Sequence, residues 1–135
     1  MFCKCSNLTS FTSNLSSLTY GVRMFYNCEN LTSFSSDLSS LTNGHSMFCN
    51  CTNLESFSSD LSSLTNGDSM FSGCSLNAES IQHIADTIND LKSQGETGKI
   101  QIGYADDVPS IILYESGEIL TNKGWTVYFR GVKWE

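Results

Sequence analysis

Apolar residues return to the same positions every 23 residues through the first half of the chain. Met-Phe pairs open at residues 1, 24, 47 and 70. Behind them run columns at Cys5/Cys28/Cys51/Cys74, Leu8/Leu31/Leu54, Phe11/Phe34/Phe57, Leu15/Leu38/Leu61, Leu18/Leu41/Leu64 and Gly21/Gly44/Gly67. Residues 24–46 are rewritten almost unchanged as 47–69, and a rougher copy fills 1–23. A fixed period of this size predicts a solenoid, because each coil buries its apolar side chains only by stacking on its neighbours. Within a coil, residues 31–36 read as a short strand with apolar positions inward and hydroxyls outward. Residues 37–41 read as a tight helical turn capped by Asp37, with Asn14 and Asp60 repeating the cap. Asn43-Gly44 and Asn66-Gly67 then predict positive-φ turns.

The pattern breaks at Cys74. Asn77 to Ser80 is a good helix start, and Ile81, Ile84, Ala85, Ile88 and Leu91 follow at helical steps, predicting a helix over about 78–92. Residues 99–104 alternate as a strand with Ile100 and Ile102 inward. Asp107 and Pro109 predict a second helix running toward Lys123 and stopped by Gly124; the competing reading is a hairpin of 110–114 with 119–121. Residues 125–129 form a last strand, with an extension toward Trp134. The chain thus divides into repeats over 1–76, three full coils and a partial fourth, and a capping unit of the same domain over 77–135. The fold class is α/β.

With 135 residues and a net charge of −7, the chain is one domain with little apolar surplus, and it lacks the basic patch that nucleic acid requires. The charge is shared evenly, −3 through Leu76 and −4 after it. No apolar run approaches the roughly 20 residues of a membrane span, so no membrane insertion is expected. No signal peptide is visible, since Met1 falls directly on the repeat.

The motif M-F-x-x-C-x-x-L-x-x-F, followed by D-L-S-S-L-T-N-G, resembles the BspA-like leucine-rich repeats of bacterial surface proteins. Residues 70–135 are similar to the segment that often closes such arrays, through the helix 76–91, the strand 99–103 and the ending N-K-G-W-T-V. The resemblance implies a short leucine-rich-repeat solenoid with a parallel sheet on one face. It also implies a role in adhesion or attachment, and a place outside the cell, on the cell surface or on a virion. The chain departs from that pattern in having few repeats and no N-terminal cap.

Three constellations invite chemistry. Cys3/Cys5 and Cys49/Cys51 are C-x-C pairs that with His45 could hold a metal, but they lie two coils apart and no C-x-x-C supports them. The cysteine column reads more simply as buried free thiols. Asn14, Asp37 and Asp60 stack as a calcium site would, yet nothing acidic repeats beside them, and capping accounts for them. His83 reads as a solvated helix residue, and no G-x-S-x-G, H-E-x-x-H or phosphate loop is present. Neither an enzyme nor a cofactor is expected.

What remains is the strand's outer face, where Ser10, Thr12, Ser33, Ser35, Ser56 and Ser58 would form columns of hydroxyls. This is the candidate binding face, with a protein or glycan as partner. The alternative role is structural self-assembly. Met1, Phe2, Leu8, Phe11 and Leu15 carry the full apolar pattern at the first coil, and an uncapped edge there predicts a homo-oligomer joined head to head.

Overall fold

Phenylalanines form the spine of the repeats. In the computed structural model, which describes residues 2–135, Phe2, Phe25, Phe48 and Phe71 stack face to face with centroids 5.4, 5.5 and 5.6 Å apart. Phe11, Phe34 and Phe57 stack beside them at 5.9 and 6.1 Å, and the two columns meet edge to face. Buried aromatic pairs in these geometries add ~0.5–1.5 kcal/mol each beyond the area they remove from water. Phe25, Phe48, Phe57 and Phe71 are fully enclosed, with Leu31, Leu38, Leu41, Leu54, Leu61 and Leu64 around them.

Backbone hydrogen bonds tie successive repeats on two sides. On one side β1 (Ser33–Phe34) and β2 (Ser56–Phe57) pair in parallel, Ser33 opposite Ser56 and Phe34 opposite Phe57. On the other, Gly21, Arg23, Phe25 and Asn27 donate to Asn43, His45, Met47 and Cys49, and the next repeat does the same one step on. The strands are far shorter than the expected 31–36. Hydroxyls compete for the ladder's carbonyls: Thr32 Oγ1 donates to Thr9 O and Ser36 Oγ to Phe11 O, while Glu55 and Ser56 N–H both use Thr32 O.

One local expectation is met and another needs correction. Asp37 caps a single turn rather than a helix. Its Oδ1 accepts from Ser39 N–H, two residues on, and Leu41 N–H closes the turn on Leu38 O; Asn14 and Asp60 do the same with Ser16 and Ser62. Gly44 and Gly67 do not have positive φ; the left-handed residues are Arg23, Ser46 and Ser69, and Lys4, Asn27, Asn50 and Gly73. The glycine column exists for space: a Cβ on Gly21 or Gly44 would stand 2.9 Å from Sδ of Met47 or Met70.

After the repeats come β3 (Gly67–Leu76), α1 (Ala78–Thr87), β4 (Gly98–Tyr104), α2 (Ser110–Asn122), β5 (Trp125–Phe129) and β6 (Val132–Lys133). β3, β4 and β5 are parallel, and β6 pairs antiparallel to β5 at the sheet's end. This second sheet departs from the expected single sheet face, because β4 pairs along the loop side of the last repeat and draws it into a strand. The element after β4 is a helix, not a hairpin, and Gly124 ends the helical stretch with φ of 93°. β5 does not continue to Trp134; the chain reverses at Arg130 and Gly131, both at positive φ.

α1 starts as expected, with Asn77 Oδ1 accepting from Ser80 N–H at 2.9 Å, but stops at Thr87 rather than 92. Asn89 is pulled away, its N–H to Leu61 O and its Nδ2 to Leu64 O, both at 3.1 Å. The helix's loose carbonyls at Ala85 and Asp86 are taken by Lys123 Nζ at 2.8 Å. Ile81, Ile84 and Ile88 are buried in the one core that runs from Met24 to Phe129. α1 stands where another strand would: Phe57 N–H donates to Ser80 Oγ at 2.8 Å, and Ser80 Oγ donates to Glu55 O at 2.9 Å.

Candidate functional site

The alternation at the short strands does what the sequence asks of it. Phe34 and Phe57 point into the core, and Ser10, Thr12, Ser33, Ser35, Ser56 and Ser58 are all exposed. The parallel register sets Ser33 beside Ser56, and the Ser58 N–H to Phe34 O bond carries the alignment one residue further. The result is an exposed group of uncharged side chains, each of whose hydroxyls can donate and accept.

At one end this group meets α1. Ser56 and Ser58 face Asn77, Glu79 and His83 across a recess of about 110 Å³. His83 is not simply solvated, as its Nε2 lies 2.8 Å from Ser59 O. The signal for this was available: continuing the 23-residue period into α1 places Ser80 on the Phe57 column and His83 on the Asp60 column.

At the other end Phe2, Leu8, Phe11 and Leu15 are half-buried, whereas their counterparts Phe25, Leu31, Phe34 and Leu38 are buried. Met1 lies outside the described residues. Thr9 O and Thr19 O accept from the second repeat, while the first repeat's own N–H groups at those positions meet no earlier repeat among the described residues.

The cysteines are free thiols. Cys28, Cys51 and Cys74 donate to the carbonyls of Phe2, Phe25 and Phe48 at 3.0–3.1 Å. Burial pushes Cys51 up to about 12, and Cys74 and Cys28 also upward. A thiol held protonated is neither a nucleophile nor a ready metal ligand. His45 lies 4.0 Å from Asp68, and among the described residues no three His, Cys, Asp or Glu side chains gather as a metal site. Nor is any described helix long and apolar enough to cross a membrane.

The BspA type leucine-rich repeat region matches residues 1–94, in six copies. No curated protein and no solved structure matches the chain. The matched stretch runs past Cys74 and takes in α1, the element that occupies the place of a further strand.

Proposed function

Since the chain belongs to the BspA type leucine-rich repeat family, we propose that it is a non-catalytic binding module whose contact surface is the hydroxyl face of β1 and β2. Repeats of this family generally serve protein binding and adhesion and are typically surface-associated. The observation that carries the reading is the exposure of Ser10, Thr12, Ser33, Ser35, Ser56 and Ser58, with Ser33 and Ser56 in register, over a packed aromatic core. A rigid backing of this kind lowers the ordering cost of binding. The reading takes residues 1–76 as a short solenoid of 23-residue coils and 77–135 as its cap, supported by the Ser33–Ser56 register and by Ser80 beneath Phe57. A protein partner is favoured over a glycan by the family, and the setting is the outside of a cell or a virion. The test is a photo-crosslinking residue placed at Ser33 or Ser58, with Glu115 on α2 as control, exposed to purified cell-surface proteins. A discrete adduct from 33 and 58 but not 115 is expected; adducts equal at all three positions would refute the face assignment.

A second reading rests on the half-buried set Phe2, Leu8, Phe11 and Leu15. There the edge of the first repeat is covered by a second copy, and the protein is a self-assembly unit. Light scattering on wild type and Leu8→Asp tests it: an oligomer broken by the charge supports assembly, and a wild-type monomer removes it.

A further inference from the structure

The β5–β6 turn holds an arginine ready for an anion. Arg130 Nε and Nη2 both donate to Tyr104 O, at 3.2 and 2.7 Å, and the guanidinium lies 4.1 Å over the Tyr104 ring. Its backbone sits at φ 50°, a conformation that non-glycine residues adopt only when their surroundings hold them there. Nη2 also donates to Asp106 Oδ1 at 2.6 Å, but that carboxylate side chain is 96% exposed, and exposed pairs of this kind exchange readily. Nη1 has no acceptor among the described residues.

Concave surface lies on both sides of this stack. One cleft, about 440 Å³, has Ser72, Ser75 and Gln101 as polar walls, with Gly73, Gly103 and Gly131 also lining it. A Cβ at Gly103 would stand 2.4 Å from Cys74 O, so the backbone approach here tolerates no side chain. The other, about 490 Å³, is bordered by Phe129, Val132, Lys133, Trp134 and Glu135, with Val132 71% exposed. β6 is the last strand of its sheet, so one of its edges is unpaired among the described residues.

We propose that this region binds an extended acidic peptide segment of a partner protein, laid along the free edge of β6 with a carboxylate on Arg130. Charge selects the occupant: Arg130 and Lys133 are the cations bordering the two clefts, and their own partners Asp106 and Glu135 are exposed enough to be displaced. Main-chain pairing to β6 supplies affinity, and alternate side chains enter the two clefts. An apolar residue meets Val132 and Trp134, while an acidic one replaces Asp106 at the guanidinium as a bidentate pair. The site is separate from the hydroxyl face.

The test uses two acetylated octapeptides, one alternating Val and Glu, the other Val and Gln, titrated by amide NMR against the full chain. The Glu peptide should shift the signals of Tyr104, Val132 and Lys133, and bind at least tenfold tighter than the Gln peptide. Arg130→Gln should reduce it to the level of the Gln peptide while the amide signals of residues away from the turn stay where they are in wild type. Asp106→Asn should tighten binding severalfold, a gain that misfolding cannot produce. Ser33→Arg should leave it unchanged, which separates this site from the hydroxyl face. Absence of shifts at millimolar peptide, affinity indifferent to Arg130 and Asp106, or the same shifts from polygalacturonate with none from the peptide would overturn the proposal.

Discussion

Each buried thiol in the column does two things at once: it fills a small apolar site and satisfies a carbonyl of the preceding repeat. Cys51→Ala should therefore cost about 1–2 kcal/mol, from the lost bond and the small void together. The thiol also sets a pH dependence. Cys51 has an ordinary value of 9.0 and is pushed up to about 12 by burial, so its contribution is complete below pH 9 and is lost as pH rises toward 12. The stability gap between wild type and Cys51→Ala, from urea unfolding at pH 8 and pH 10.5, should narrow at the higher pH. A constant gap would mean the thiol ionises freely in the fold. The column of cysteines was legible from its period for Cys28, Cys51 and Cys74; Cys5 is only half-buried, because its repeat is packed on one side. The glycines were not legible, because Asn-Gly is also a turn signal and nothing in the sequence reveals a methionine sulfur behind the Cα. Gly44→Ala should destabilise by about 1–2 kcal/mol through Met70, and Gly103→Ala by more, since there the obstacle is the Cys74 backbone. Thermal melts of the two variants check the order.

At the level of elements, the start of α1 and the strands β4 and β5 follow signals inside their own sequence, whereas the short repeat strands, the end of α1 and β3 are defined by their neighbours. The start of α1 is written locally in Asn77 and Ser80. Its end is written elsewhere, in the Leu61 and Leu64 carbonyls that claim Asn89 and in Lys123, which lies 35 residues or more from the carbonyls it closes. Burial lowers the ammonium's pKa, and the charges of Asp86 and Asp90 pull it back up. Lys123→Met keeps the stem and removes the three donors; it should cost about 1–2 kcal/mol. Amide exchange at Thr87 and Ile88 should quicken with it, and unchanged exchange would show that Asn89 alone ends the helix. β3 escaped notice for the same reason. Gly67–Leu76 is the loop side of one more repeat until β4 pairs with it.

For the molecule as a whole, the period told which side chains are inside and which are out, and so placed the hydroxyl face. It could not tell what lies at the face's end, because His83 and Glu79 reach it only through the placement of α1. The Arg130 turn was equally hidden, since Arg130 and Tyr104 meet across 26 residues without any motif. If residues 77–135 act as the cap, a chain ending at Leu76 leaves Leu54, Phe57 and Leu61 facing water, and it should aggregate where the full chain does not. Size exclusion of both chains checks this, and a soluble monomeric fragment would refute it.

The central claim is that the hydroxyl face contacts a partner protein. The most direct measurement is binding of labelled chain to an array of purified extracellular and cell-surface proteins, comparing wild type, the double variant Ser33→Arg/Ser56→Arg, and Glu115→Arg on α2. Both variants carry their substitutions at exposed positions and should fold like wild type, with a small loss of melting temperature in the double variant from its paired arginines. Binding by wild type and by Glu115→Arg, weakened at least tenfold in the double variant, is the predicted result. Partners held equally by the double variant, or lost equally in Glu115→Arg, would contradict it.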